Sequence, residues 1–357
     1  MSSRAPGRRR GFFSSRSGIA VLAVVVLTLA GAAAFVLRGD EEPSLVADPP
    51  VATTTTTAPP PEPVAGVLLG ASTSPEVRGP ANEKLAVEEL EARIGRTLDI
   101  DHNFFPWDEP FPTEIERWDL AGGRIPMISW NGRGVTTAAI AAGRYDGLVK
   151  QRARDVKALG EPVLIRWFWE MDGNKKADFA GTPEEYVAAW QRIVTTFRNE
   201  GADNVRWVWC PNASAFNDGE AQQFYPGDDF VDWTCADGYN WAPGRAGDEW
   251  ESFREIFGGF YAWASLHDKP IMVGEFGVQE RNPGERAQWI NETREIIKKD
   301  FPQVRAIVYF HANKDYDWRL TTSESAINAF RQLAHDPWFN LGVNRRRLLD
   351  GGSDEQR

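Results

Sequence analysis

The chain is predicted to fold as a (β/α)8 TIM barrel, and three observations predict it. From Val67 onward, eight short runs of branched and aromatic residues appear, with longer helical patterns between most of them. Such alternation over about 280 residues is what a closed parallel barrel needs. With 357 residues and 42% apolar composition, the chain can bury the core of one large domain or two ordinary ones. The rival fold is a doubly wound open sheet; no G-x-G-x-x-G follows the first run, which weakens its dinucleotide-binding form.

Before the barrel comes an N-terminal address. Residues 1–17 hold Arg4, Arg8, Arg9, Arg10 and Arg16 and no acid, and read as a basic cytoplasmic tail. Residues 18–37 form an apolar run of twenty residues. As a helix it would span about 30 Å, the thickness of a bilayer core. The Arg excess on its N-terminal side predicts that the rest faces outward. The expectation is a transmembrane signal anchor with an extracellular catalytic domain. The competing reading is a cleaved signal peptide and a secreted protein, because Ala30 to Ala34 contains small residues of the right kind. Residues 38–65, rich in Pro and Thr, have too few apolar side chains to fold and read as a disordered linker.

The barrel is expected over 66–342, followed by a polar tail at 343–357. Its strands are predicted at 67–71, 98–104, 125–130, 162–168, 205–209, 233–238, 270–275 and 304–310. Helical patterns fall at 82–94, 113–120, 145–159, 183–200, 250–266, 284–299 and 323–335. Thr182-Pro183-Glu184-Glu185 supplies an N-cap, Pro at the first helical position and early acids. After strand five only a weak helical candidate appears, near 219–224.

Composition narrows the function. The formal charge is −11; residues 39–357 hold 34 basic and 51 acidic residues, a formal −17. A nucleic-acid binder is therefore not expected. Four scattered His and two Cys argue against zinc-finger, haem or iron–sulfur chemistry, and no metal or other cofactor is expected. Fifteen Trp either pack a core or offer flat faces for sugars.

Barrel active sites lie at the C-terminal ends of the strands. Strand two delivers Asp101, His102, Phe104 and Trp107; strand three, Trp130 and Asn131; strand four, Arg166, Trp167, Trp169 and Glu170. Strand five gives Trp207, Trp209 and Asn212, and strand six Asp237, Tyr239, Asn240 and Trp241. Strand seven ends in Glu275, and strand eight in His311, Lys314, Asp317 and Trp318. Glu170 and Glu275 each end an apolar run, where a lone acid is costly unless paired or wet. Two such carboxyl groups across a barrel mouth suit glycoside hydrolysis, in which one protonates the leaving oxygen and the other attacks or activates water. The alternative is that one or both are structural partners of Arg166.

Five segments resemble one family. R-W-F-W-E-M-D-G (166–173) resembles the acid/base strand of glycoside hydrolase family 26, a clan A (β/α)8 family best known for β-mannanases. P-I-M-V-G-E-F-G (270–277) is similar to its nucleophile strand. V-R-W-V-W-C-P-N (205–212), Y-P-G-D-D-F-V-D-W with D-G-Y-N-W (225–241), and K-D-Y-D-W-R (314–319) resemble its strands five, six and eight. The resemblance implies Glu170 as acid/base, Glu275 as nucleophile and Tyr239 as a hydrogen-bond donor to Glu275. Arg166 would orient a carboxylate or form an interior ion pair. Trp169 stands where the family commonly has His, and Asp172 where Asn is common. A Trp can stack or donate one N–H but cannot accept a hydrogen bond, which alters the contacts at the cleaved sugar.

Trp107, Trp130, Trp169, Trp241 and Trp318, each near a strand end, are candidate sugar platforms, and His102 a pocket-lining residue. Trp118, Trp190, Trp263 and Trp289 lie in helical patterns and read as packing. Cys210 and Cys235 come from the ends of strands five and six, which neighbour each other in a barrel, and are expected to form a disulfide bracing two loops outside the membrane. The expected activity is retaining hydrolysis of internal β-glycosidic bonds in a polysaccharide: β-mannan, mixed-linkage β-glucan or a related β-glycan. The expected partners are that polysaccharide and, through the N-terminal helix, a membrane, with the protein a monomer. The alternative is a non-catalytic glycan-binding or envelope-organising barrel, for which Trp169 is the main support.

Overall fold

A computed structural model describes residues 66–173, 177–341 and 348–349. The tail, anchor and linker expected at 1–65 lie outside them. Among the described residues no helix is long and apolar enough to cross a membrane.

The strands are β1 (Leu68–Ser74), β2 (Ile100–Phe105), β3 (Ile125–Trp130), β4 (Val163–Trp167), β5 (Val205–Trp209), β6 (Trp233–Asn240), β7 (Ile271–Val278) and β8 (Val304–Lys314). Each pairs in parallel with the next, and β1 closes the ring on β8 with Leu68 opposite Ala306. A two-residue β9 (Tyr316–Asp317) folds back antiparallel on β8. The helices are α1 (Pro80–Ile94), α2 (Glu114–Ala121), α3 (Thr137–Ala141), α4 (Asp146–Lys157), α5 (Ala177–Ala180), α6 (Pro183–Asn199), α7 (Glu220–Gln223), α8 (Phe253–Ala264), α9 (Glu285–Lys299) and α10 (Glu324–His335). The predicted strands and major helices are all present. The 219–224 candidate is a single turn, so β5 and β6 are joined by short turns rather than a full covering helix.

Strand periodicity divides the core in two. Side chains on successive strand residues point to opposite faces. Leu68, Ile100, Met127, Leu164, Val208, Met272 and Val308 fill the barrel interior. Their neighbours Leu69, Ile128, Ile165, Val273, Ile307 and Tyr309 pack outward under the helices. Helix starts are fixed locally: Thr182 accepts from the Glu185 amide while the Glu185 carboxylate accepts from the Thr182 amide. The same reciprocal cap recurs at Thr113/Glu116 and Ser252/Glu255.

Leu348 and Leu349, within the segment set apart as a polar tail, are buried in the interior cluster. Leu349 lies beside Ile125 and Pro162, where strands begin, and its carbonyl accepts from Arg206 Nε at 3.3 Å. They close the barrel floor, and the other end is left as the mouth.

Candidate active site

Arg166 is the centre of the mouth. It is the fourth residue of β4, faces the interior and is fully buried. Its Nε donates to Ser129 Oγ at 2.7 Å, and one terminal nitrogen donates to both carboxylate oxygens of Asp237 at 2.7 and 2.6 Å. The other terminal nitrogen pairs with Glu275 Oε1 and lies 3.3 Å from His102 Nε2. Burial alone would lower the guanidinium, but the Asp237 and Glu275 charges outweigh it and hold its pKa above the ordinary value. The cation is permanent.

Arg166 has only donors, so His102 Nε2 must accept, from Arg166 and from the Ser129 hydroxyl at 2.6 Å. Burial, and then the Arg166 charge, hold the His102 pKa well below its usual range. His102 is thus a neutral acceptor in the pocket wall.

Glu275 reaches the interior through a bulge. Val273 and Phe276 on β7 face Ile307 and Tyr309 on β8, three residues of advance against two. The extra residue breaks the alternation, so Gly274 and Glu275 both face inward while Val273 and Phe276 stay in the outer layer. The second oxygen of Glu275 accepts from the Tyr239 hydroxyl. Burial, followed by the Glu275, Asp237 and Glu170 charges, holds the Tyr239 phenol well above its ordinary range. It therefore stays protonated and donates to Glu275. Glu275 is a buried carboxylate with a permanent cation on one oxygen and a phenol on the other.

Glu170 leaves β4 on a strained turn. Phe168 and Glu170 adopt φ of 45° and 50°, a region that costs a non-Gly residue about 1–3 kcal/mol. Several bonds hold the turn: Phe168 N–H donates to the Trp130 carbonyl at 2.9 Å and Glu170 N–H to the Cys210 carbonyl at 2.8 Å. Asp172 accepts from the Asn212 amide and side chain, each at 3.0 Å. Strain of this kind concentrates where a side chain must be aimed. The Glu170 charge acts on both Arg166 and Tyr239, as the Glu275 charge does. The two carboxyl groups therefore lie within electrostatic reach of the same two side chains.

The structure sorts the predicted aromatic platforms by strand face. Trp107 and Trp130 do not line the mouth. Ser129 takes the inward position, so Trp130 points out, stacks on Trp107 at 4.4 Å and donates to its carbonyl at 3.0 Å. Both are buried in the helix-side core. Trp169 does face the site, 8% exposed, with its ring 5.4 Å from Phe104 and 4.9 Å from the Arg166 guanidinium carbon. Trp318, 2% exposed, packs behind Tyr239 at 4.9 Å and braces it instead of offering a face. Trp241 is half-buried beside Tyr239 at 5.0 Å, with the Arg245 guanidinium carbon 3.9 Å above its ring. Trp118, Trp190, Trp263 and Trp289 pack in the outer layer, as their helical spacing predicts. His311 accepts from the Leu320 amide at 3.1 Å, and burial, then Arg319, pushes its pKa down to about 4.

Cys210 and Cys235 are bonded to each other, but not between loops. Both are fully buried in the barrel interior, linking the end of β5 to the third residue of β6 beneath Asp237. Among the described residues one group has metal-ligand spacing, Cys210, Cys235 and Asp237, and its sulfurs are engaged in that bond. Sequence reasoning brought Asp237 to the mouth without a specific role and did not single out Ser129 or Phe310. Ser129 and Asp237 hold Arg166, and Phe310 packs edge-on to Tyr239 at 5.8 Å.

Comparison with known proteins agrees with this geometry. The model of the family described as "Glycosyl hydrolase family 26" matches residues 145–339. Endoglucanase H of Acetivibrio thermocellus is 34% identical over 264 residues, covering 71% of this chain and 29% of that protein. Mannan endo-1,4-beta-mannosidase A and B of Caldalkalibacillus mannanilyticus is 26% identical over 216 residues, 58% of this chain and 36% of that protein. The chain thus spans less than half the length of the curated relatives it matches. A solved GH26 beta-mannanase from Bacteroides ovatus superposes with a TM-score of 0.57 at 15% identity, covering 77% of this chain and 90% of that one, a likeness of fold.

Proposed function

The chain belongs to glycosyl hydrolase family 26, and on that premise we propose that it cuts internal β-glycosidic bonds of a polysaccharide by double displacement. Glu275 is the nucleophile and Glu170 the acid/base. One observation carries the reading: a buried carboxylate gripped by a permanent cation and a phenol, beside a second carboxyl group on a strained turn. Arg166 and Tyr239 each hold one oxygen of Glu275 and so fix the direction of attack. Glu170 is half-buried at the open end of β4, where it can protonate the departing oxygen and later activate water. Trp169, Phe104 and Trp241 supply apolar faces for sugar rings.

The similarity to Endoglucanase H supports β-glucan, including mixed-linkage glucan, ahead of β-mannan as the substrate class. The Arg-flanked apolar run at 18–37 supports a membrane-tethered protein with its barrel outside the cell, or a secreted one if that run is cleaved.

The test is release of new reducing ends from mixed-linkage glucan, β-mannan and β-xylan, with the Glu275→Ala protein as blank. Release that vanishes in the blank is expected. A Glu170→Gln protein should fail on polysaccharide yet still be glycosylated by an aryl glycoside with a good leaving group, which needs no acid. Undiminished hydrolysis by Glu275→Ala overturns the assignment; tight polymer binding with no bond ever cut points instead to a glycan-binding barrel.

A further inference from the structure

The interior disulfide lies directly under the residues that hold Glu275. The β5–β6 ladder is short: Val208 faces Trp233, Trp209 faces Thr234, and then the strands part, meeting again only at an isolated bridge between Asn212 and Asp237. Cys210 and Cys235 are the next pair along, so the covalent bond continues the pairing where the hydrogen bonds stop. Around it lie Asp237, Arg166 and Gly274, with Cys210 Sγ 3.6 Å from an Arg166 terminal nitrogen.

Gly274 is the informative neighbour. A Cβ at this position would come 2.4 Å from Cys235 Sγ, 2.9 Å from Cys210 Sγ and 2.9 Å from Asp237 Oδ1. The two sulfurs thus sit in the volume that the missing side chain leaves. Gly274 is also half of the bulge that turns Glu275 inward. Bulges re-aim side chains and are set by what packs on them, and a close-packed interior transmits a change in that packing.

We propose that the Cys210–Cys235 disulfide is a positioning element for Glu275: by filling the space over Gly274 it holds the bulge that directs the carboxylate onto Arg166 and Tyr239. The proposal rests on Glu275 being the nucleophile, and it makes the bridge part of the catalytic geometry as well as a cross-link. The sulfurs touch no reacting atom. They act through Gly274 and Asp237.

The test pairs Cys210→Ala/Cys235→Ala with Gly274→Ala. Without the sulfurs, kcat on the polysaccharide that the wild type cuts should fall about 100-fold, as expected for a misplacement near 1 Å. KM should stay within about threefold, since sugar-stacking contacts are untouched. Gly274→Ala with the bridge intact should lose a similar factor. Combining all three changes should cost much less than the product of the two losses, because both act on one contact. Wild-type kcat in the double-cysteine variant, with only a lower melting temperature, overturns the proposal. Should that variant fail to fold, Gly274→Ala decides, and wild-type kcat there overturns it equally. If the wild type cuts no polysaccharide, the hydrolase reading fails on its own. The positioning claim is then decided crystallographically: a Glu275 carboxylate still bonded to Arg166 and Tyr239 in the sulfur-free variant overturns it, and a displaced one supports it.

Discussion

Replacing Arg166 by Met should be the most damaging single change in the barrel interior. The guanidinium is fully buried, and the side chains of its two acidic partners are at most 6% exposed. Methionine has similar length but no charge, so Asp237 and Glu275 would be left without their cation and largely out of water. Breaking a buried pair by removing one partner costs about 3–5 kcal/mol. That is a large share of the ~5–15 kcal/mol that holds a domain together. Urea unfolding followed by tryptophan fluorescence should show the midpoint lowered by about 1–2 M. Hydrolysis should suffer separately. Glu275 loses a charged hydrogen bond worth about 1.5–3 kcal/mol, or roughly 10- to 150-fold in rate if it is made fully in the transition state. Arg166→Lys keeps the charge, but one ammonium cannot serve Ser129, Asp237 and Glu275 in the planar fork that Arg provides. It should regain part of the stability and little of the rate. A Met variant within about 1 kcal/mol of wild type, hydrolysing at the wild-type rate, would refute the central role given to this cation.

Two further outcomes follow from residues away from the carboxylates. Trp130→Ala should cost about 3–5 kcal/mol in chemical denaturation, because it empties a buried site stacked on Trp107; the folded fraction should keep the wild-type KM, and a raised KM would return Trp130 to the sugar site. Asp119→Asn should stabilise the protein at pH 8 and have little effect near pH 4. Burial first, then the Asp101 and Glu116 charges, raise the Asp119 pKa above its ordinary value. Its stability contribution is therefore full below about pH 4 and is lost as pH rises through the folded value. An Asn does not titrate, so thermal melts should favour the variant by more than ~1 kcal/mol at pH 8, and an equal difference at both pH values would remove the basis for this expectation.

Much of the architecture was legible because it depends on patterns along the chain. Strand runs and helical spacing follow from which side chains must leave water, and Thr182-Pro183-Glu184-Glu185 starts α6 where its local chemistry places it. Glu170 and Glu275 stood out because charged groups at the ends of apolar strands need a reason to be there, and the part of Tyr239 came from the family resemblance. The aromatic assignments fared unevenly for one geometric cause. Trp130 and Ser129 are adjacent, and only the phase of the strand decides that the serine meets Arg166 while the tryptophan meets the helices. Trp107, beyond β2, stacks on Trp130 and so follows it into the same outer layer.

By itself, then, the sequence determined the eightfold alternation, the closed-barrel class and the residue types gathered at the strand ends, since these arise from burial period and local capping. Tertiary structure alone decided which of those residues converge. The bulge at Gly274 breaks a period of two that the sequence cannot show to be broken, and it brings Glu275 inside. Arg166, Asp237 and Glu275 come from three different strands, and their ion pairs exist only because ring closure sets those strands around one dry centre. The disulfide, expected between loops, sits within the barrel because Cys210, just after β5, and Cys235, the third residue of β6, both fall on the inward phase of their strands with Val208 and Trp233. Register and closure act between segments distant in the chain, and that is why no reading along it could place them.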